Sequence, residues 1–422
     1  MNHHVPPPGS RIVVCSAGIP HLHTFKGLSA SMMTLYGYLD HLKKSGYTIL
    51  HVLLLEEAAV KQDLLDSYRK EMEKPGVFEV LIWRMERIWQ PRKRSYHPHV
   101  MTIAPQEIID GIRAFRPDAL FFLDVYSAGP IIHHHIAPAL VQVHDPKFQT
   151  LWYHSLYSLR ETPWKILDVL AEWVKCKLWK DFYRDVLKNA ARVITVAKSS
   201  ERELASIGIP AHYVPMAWPD ARKENHPQSP NLPAKPTFLF LGNLSGLGSR
   251  SALHFLLEQV YPKLVALWGQ NGFIIHICGA HTLPPWVAEK IKPMPEMHFM
   301  GFVDDLESLM LTCHAALAPI DVKVGNRTRI LTAMSLGVPT VNHTHTALGN
   351  PALIDGETCY LATDPAVFAE RMKRTVERGP EVETIIKNAR MVFETQFESK
   401  AATDALQREL AAMLAETAAA SR

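Results

Sequence analysis

The run from Ala315 to Val341 constrains the fold more tightly than any other part of the chain. Ala315–Ala318 has the length and composition of a buried strand. A polar loop follows, holding Gly325, Asn326, Arg327 and Arg329. A short helical pattern starts near Arg327, with Ile330, Leu331 and Met334 on one apolar stripe. Gly337-Val338-Pro339 closes it, and a second strand begins after it. Such a loop aims backbone N–H groups at a helix tip, an environment that favours anions. Arg327 and Arg329 add fixed positive charge suited to phosphate oxygens. Thr332 lies three residues beyond Arg329 and shares its face. The chemistry indicated is a diphosphate held at a helix tip.

The rest of the chain alternates in the same way. Strands are expected at Arg11–Cys15, Thr48–Leu55, Asp118–Leu123, Leu140–Val143 and Val193–Val196, separated by helices such as Ala30–Lys44, Pro105–Phe115 and Trp164–Asn189. Pro215 to Pro236 is a polar run with six prolines in all, the composition of a linker. The alternation then restarts with strand Thr237–Leu241, helix Ser251–Leu267 and strand Phe273–Cys278. Helix Trp286–Lys290, strand His298–Met300 and helix Leu306–Leu311 continue it up to Ala315. This predicts an α/β chain of two doubly wound parallel sheets. Its expected parts are an N-terminal domain over 1–218, a linker over 219–236, a second domain over 237–396 and a closing helical segment over 397–422. Doubly wound domains bind ligands at the carboxyl ends of their strands, so a cleft between two facing domains is the default site.

Composition narrows the function classes. A chain of 422 residues with 47% hydrophobic and 21% charged residues is ordinary for a globular protein with sizeable cores. A net charge of +3 is too small to indicate a nucleic-acid partner. The first ten residues are polar and proline-rich, with no secretory pattern after them. No apolar run approaches the ~20 residues of a membrane span. Cys15, Cys176, Cys278, Cys313 and Cys359 are scattered and show no metal-ligand spacing, as expected of reduced thiols in a cytoplasmic protein.

The segment Arg329-Ile330-Leu331-Thr332-Ala333-Met334-Ser335-Leu336-Gly337-Val338-Pro339-Thr340-Val341 resembles the donor-site motif of GT-B glycosyltransferases, above all the retaining family-four enzymes (glycosyl transferases group 1). Further likenesses are Leu241-Gly242-Asn243-Leu244, His276-Ile277-Cys278-Gly279, Phe299-Met300-Gly301-Phe302-Val303 and Ala362-Thr363-Asp364-Pro365. The resemblance covers most of the chain. It implies two Rossmann-like domains facing a central cleft, with the C-terminal helix crossing back to the first. It implies transfer of a sugar, of the hexosyltransferase kind, from a nucleotide diphosphate sugar to a glycan, lipid-linked or protein acceptor. Retention is expected, with neither metal nor cofactor. A nucleotide-sugar epimerase or hydrolase of the same fold, and a catalytically silent binding protein, stay open as alternatives.

By that resemblance, His144 lies beside the transferred sugar and Arg329 stabilises the departing diphosphate; these are the catalytic candidates. The donor-binding candidates are Gly242, Asn243, Arg250, Gly301, Phe302, Val303, Gly325, Asn326, Arg327, Thr328, Leu331 and Thr332. Lys26, Gly27 and Asp145 are placed on the acceptor side. Three of these groups also have a plainer reading. Asp145 before Pro146 fits a turn with His144 held by a backbone carbonyl, Lys26-Gly27 fits an ordinary strand-to-helix turn, and Gly242 to Arg250 fits a flexible surface loop. The chain departs from the family at two places. Where relatives carry glutamates, it has Val324 and Thr332, and the second glutamate normally accepts the ribose hydroxyls. Two eye-catching features read blandly. Adjacent His133, His134 and His135 cannot all face one ion. Trp164–Tyr183 fits a helix packed on a sheet with lysines at its rim, with a membrane-surface role as its alternative. A peripheral place at the inner membrane therefore stays open beside a purely cytoplasmic one.

Overall fold

The computed structural model describes residues 9–21, 30–56, 61–85, 104–161, 164, 166–223 and 231–420. The chain divides into two compact units, Met1–Pro219 with Ser399–Arg422, and Asp220–Glu398. The first unit contains β1 (Arg11–Ser16), α1 (Ala30–Lys44), β2 (Thr48–Glu56), α2 (Gln62–Met72), β3 (Phe78–Met85), α3 (Gln106–Phe115), β4 (Ala119–Leu123) and α4 (Asp124–Ala128). It continues through β5 (Ala139–Val143), α5 (Lys147–Glu161), α6 (Ile166–Leu187), β6 (Arg192–Thr195), α7 (Lys198–Ala205) and β7 (His212–Tyr213). The strands form one sheet in the order β3-β2-β1-β4-β5-β6-β7, with parallel pairing throughout.

The central strands of this sheet are apolar on both faces, because side chains alternate along a strand and helices cover both sides. In β1, Val13 and Cys15 join one core cluster, while Ile12 and Val14 join the other. In β4, Leu120 and Phe122 face the first cluster, and Ala119, Phe121 and Leu123 the second.

The second unit begins with β8 (Thr237–Leu241). Helix α8 (Leu247–Phe255) runs through a π-helical turn, Leu256–Val260, into α9 (Tyr261–Trp268). Next come β9 (Ile274–Cys278), α10 (Pro285–Ile291), β10 (Met297–Gly301), α11 (Leu306–Leu311), β11 (Ala315–Ala318), α12 (Thr328–Leu336), β12 (Thr340–His343) and β13 (Tyr360–Ala362). Helices α13 (Pro365–Glu377) and α14 (Pro380–Val392) complete the unit. Its sheet has the order β10-β9-β8-β11-β12-β13, again parallel. Both units are therefore doubly wound, as the alternation predicts.

Two local expectations are corrected. The helix expected over Ser251–Leu267 starts at Leu247, with Gly246 as its N-cap. Leu247, Gly248 and Ser249 are buried, so this glycine-rich stretch is the packed start of a helix and not a flexible loop. The proline-rich run is likewise packed where it begins. Met216, Ala217 and Trp218 are buried, because apolar side chains in a Pro-rich segment still seek a core. Asp220 is then held in the second unit by Arg390 Nη1 at 2.8 Å.

The last helix, α15 (Ser399–Ala420), belongs to the first unit. It lays Ala402, Leu406, Leu410 and Met413 into the core cluster under β1 and β4. It meets α1 where Gly37 leaves room: a Cβ there would lie 2.9 Å from Ser399 Oγ. Arg192 on β6 anchors it through Glu409, Nη1 to Oε2 at 2.6 Å. Leu406 is fully buried, so Leu406→Ala is expected to destabilise the first unit by about 2–5 kcal/mol. A lowered thermal transition of the full chain checks this; an unchanged transition would mean that α15 packs loosely.

Candidate functional site

In the second sheet the chain proceeds outward in opposite directions from β8 and β11. Their carboxyl ends flank a topological switch point, the place where open α/β sheets bind ligands. Gly242 follows β8 with φ 155°, and its N–H donates to the Cys278 carbonyl at 3.0 Å. Arg329, the second residue of α12, brings its guanidinium against this glycine. A Cβ at position 242 would lie 2.2 Å from Arg329 Nη2. Only glycine permits that approach.

The guanidinium sits 5.7 Å from the Phe240 ring centroid, and Nη2 donates to Ser249 Oγ at 3.1 Å. Nη1 is buried with no hydrogen-bond partner. Burial, with repulsion from Arg327 second, pushes the Arg329 pKa down to about 9. An arginine in water stays charged far above that. Arg327 lies close by. A Cβ on Gly248 would stand 3.0 Å from its Nη1, and its Nη2 donates to the Val324 carbonyl. Buried unpaired charge is costly, so this arrangement favours an anion.

The neighbouring loops are tightly made. Gly325 has φ 72°, and a Cβ on Gly349 would meet its carbonyl oxygen at 2.1 Å. Asn326 Oδ1 accepts the Arg327 N–H at 2.8 Å. Thr328 opens α12, and no side chain of the N-cap residue caps that end. Asn243 is exposed, and its Oδ1 accepts the Ser245 N–H at 3.1 Å. Arg250 stands half-buried in the first turn of α8, which fixes the register that the sequence leaves undefined. At the end of β10, Gly301 has φ 69° and its carbonyl accepts the Gly279 N–H at 2.9 Å. Phe302 is exposed with its ring centroid 4.1 Å from that of His281, and Val303 is half-buried beside it.

Two candidates take roles the sequence does not show. The Leu331 side chain is fully buried; as part of the apolar stripe that docks α12, it offers a ligand no side-chain contact. Thr332 Oγ1 donates to the Thr328 carbonyl at 3.3 Å, the usual helix back-bond of a threonine. Val324 is buried.

The first unit gathers a second set at its own switch point, between β1 and β4. Asp124 follows β4 with φ 68°, an uncommon conformation for a non-glycine residue. His144 and Asp145 follow the neighbouring strand β5. His144 Nδ1 lies 3.9 Å from Asp124 Oδ2, and the two side chains are only 15% and 17% exposed. His144 Nε2 is buried without a partner. Burial lowers the His144 pKa to about 4, so the ring is neutral at pH 7. Burial, opposed by the Val125 N–H and the Tyr183 hydroxyl and reinforced by Asp145, raises the Asp124 carboxyl to about 7. The Val125 N–H to Asp124 Oδ1 distance is 2.7 Å. Strained backbone and a perturbed carboxyl together mark functional sites. Asp124 is absent from the sequence reading; an acid directly after an apolar strand was its available signal. Lys26 and Gly27 lie outside the described residues. Among the described residues no cluster of His, Cys, Asp and Glu is placed to hold a metal ion. His133 and His134 lie in a short 3-10 turn and His135 caps it.

Residues 235–378 match the family model described as Glycosyl transferases group 1. The sequence matches no curated protein. The fold is similar to that of Anabaena HepE in complex with UDP and glucose, with TM-score 0.61 and 12% identity over 94% of this chain and 98% of that one. It is also similar to a sucrose-phosphate synthase from Thermosynechococcus elongatus, with TM-score 0.66 and 14% identity over 96% of this chain and all of that one. A mutant of S. aureus TarM in complex with UDP, fondaparinux and alpha-GlcNAc-glycerol gives TM-score 0.64 and 8% identity over 96% and 99%. The fold is that of the GT-B class, two Rossmann-like units in one chain. Its second unit carries a glycosyl transferases group 1 domain.

The Asp124 carboxyl sets a pH dependence. Its folded pKa of about 7 lies above its ordinary value of 3.8, so between those values the folded state binds more protons than the unfolded one. This group's contribution therefore falls as pH rises through that window. His144, lowered from 6.5 to about 4, contributes the opposite slope between about pH 4 and 6.5. Asp124→Asn, which keeps a residue tolerant of positive φ, isolates the first effect. The variant is expected to gain thermal stability over the parent at pH 8 and little at pH 4.5; an equal difference at both pH values would refute the raised carboxyl.

Proposed function

We propose that the protein is a glycosyltransferase that binds a nucleotide diphosphate sugar in its second unit. The observation that carries this reading is the buried, partnerless Nη1 of Arg329 beside Arg327 at the β8–β11 switch point. Two guanidiniums, the free tip of α12 and the glycine-lined ends of β8 and β10 form a receptor for a diphosphate. Fixed positive charge aimed at the leaving group is the largest electrostatic contribution such a site can make. With that charge supplied by arginine, the transfer is expected to need no metal. Phe302 and His281 offer exposed ring surface for a base. The matched domain, and relatives whose structures hold UDP, support the same reading.

In the first unit, a neutral His144 and an Asp124 carboxyl poised near neutrality suit recognition of sugar hydroxyls, the first donating or accepting a hydrogen bond and the second accepting one. Retention at the anomeric carbon, hexosyl specificity and a glycan, lipid-linked or protein acceptor follow from the family resemblance.

Thermal-shift titration tests the donor assignment. A nucleoside diphosphate is expected to raise the melting temperature by mass action, and a nucleoside much less. In Arg329→Met the diphosphate-dependent shift should vanish, while the unliganded variant melts no lower than the parent because a buried unpaired charge is gone. The lost charged hydrogen bond is worth about 1.5–3 kcal/mol. Equal losses of diphosphate and nucleoside binding would sink the assignment.

Thr332 tests how the ribose is held. Its hydroxyl is engaged by the Thr328 carbonyl, and this favours a second reading in which the ribose is gripped weakly and the protein binds without transferring. Thr332→Glu is expected to tighten nucleotide binding by restoring the family's charged acceptor on a half-buried helix face. Weaker binding by a variant that melts normally would show that the ribose is held elsewhere.

A further inference from the structure

Helices α5 and α6 pack against each other as a hairpin, and α6 changes character along its length. Its C-terminal half buries Cys176, Trp179, Phe182, Tyr183, Val186 and Leu187 in the core of the first unit. That half is the packed helix expected from the sequence. The N-terminal half is not packed. Ile166, Leu167, Leu170, Trp173 and Val174 are all exposed, Leu167 at 75% and Trp173 at 58%. Their spacing of one, three, three and one residues is a single helical stripe, and it faces solvent. Trp164, 78% exposed, precedes it, and Trp152 and Leu156 of α5 are exposed one helical turn apart. Eight of the fourteen exposed large apolar residues among the described ones fall between positions 152 and 174. Scattered apolar residues need no explanation, whereas a concentration of this kind marks an interaction surface.

Charge says what covers it. Beyond the apolar stripe on α6, Lys177 and Lys180 are exposed. The acids near them whose side chains are described are neutralised locally: Glu172 by Lys175 at 2.6 Å, Asp181 by Arg184 at 2.9 Å, and Asp185 by Lys188. What remains is an apolar, tryptophan-bearing end bordered by excess lysine. Tryptophan and lysine at the border of an apolar face are the features of a surface that lies in a bilayer interface. No described helix is long and apolar enough to cross a membrane, so the contact is with the surface.

We propose that the exposed end of the α5–α6 hairpin docks the protein on anionic phospholipid bilayers, with Trp164, Leu167, Leu170 and Trp173 entering the headgroup region and Lys177 and Lys180 meeting lipid phosphates. This does not depend on the transferase reading, and its test needs no activity. The full chain is incubated with vesicles of phosphatidylcholine alone, or of phosphatidylcholine with phosphatidylglycerol, and separated by flotation. The parent is expected to float with the anionic vesicles, and far less with the neutral ones. The variant Leu167→Glu with Trp173→Glu changes only exposed side chains; it should melt like the parent and lose flotation at least tenfold. Lys177→Glu and Lys180→Glu should each weaken binding roughly fivefold at low salt. Three results would overturn the proposal: no flotation of the parent, flotation unaffected by the double glutamate variant, or a lipid-free parent that sediments as a dimer while that variant sediments as a monomer. The last would assign the stripe to a second copy of the chain.

Discussion

A guanidinium held out of water without a carboxylate is the constraint around which the second unit is arranged. Arg329 reaches its position only because Gly242 has no side chain and Phe240 presents a ring face. The helix that carries it is fixed from below by Ile330, Leu331 and Met334, all buried. The apolar docking of α12 therefore supplies the energy that keeps the charge in place. Taken alone, the charge is destabilising, and its lowered pKa expresses that cost. A site of this kind is organised before its ligand arrives, and an anion that enters it gains what the empty site lacks.

The first unit applies the same topology to the opposite chemistry. Its switch point collects an acid and an imidazole, both desolvated, and burial drives each toward its neutral form. The positive φ of Asp124 turns its carboxyl directly at the end of β4, and the Tyr183 hydroxyl and Val125 N–H hold it there. Neutral groups with unspent hydrogen-bonding capacity suit hydroxyl-rich ligands, as charged ones suit phosphates. The two units thus divide recognition by dielectric and charge while sharing one rule of strand order.

Much of this was legible in the sequence because the informative signals are local. Apolar runs separated by helical periodicity define β1, α1, α11 and β11 nearly to the residue. The glycine-bounded loop and the two arginines at the start of α12 point to an anion site without any knowledge of tertiary structure. What stayed hidden depends on contacts between distant segments. The inward turn of Arg329 follows from Gly242, 87 positions away in the chain. Asp124 looks like any acid after a strand until its backbone conformation and burial are known. Helix α6 is apolar along its whole length, and only the structure shows that the exposed stripe of its first half lies on the opposite side from the face that its second half buries. The glycine-rich start of α8 has too little apolar periodicity to read as a helix, although Leu247 anchors it in the core.

The two missing glutamates change what such a site selects. A carboxylate near Arg329 would lower the cost of burying the guanidinium and also compete with a phosphate for it. With Val324 buried and Thr332 turned to its own helix, neither position supplies an acid against the repulsion between Arg327 and Arg329. On the proposed reading, the guanidinium pair is then costlier to bury and more attractive to phosphate, while the family's charged acceptor for ribose hydroxyls is absent. Charge-assisted hydrogen bonds are roughly twice as strong as neutral ones, so affinity shifts from the ribose to the diphosphate. If the proposed donor site is the one used, it would discriminate chiefly by the number of phosphates and by the base against Phe302, and least by the sugar ring between them.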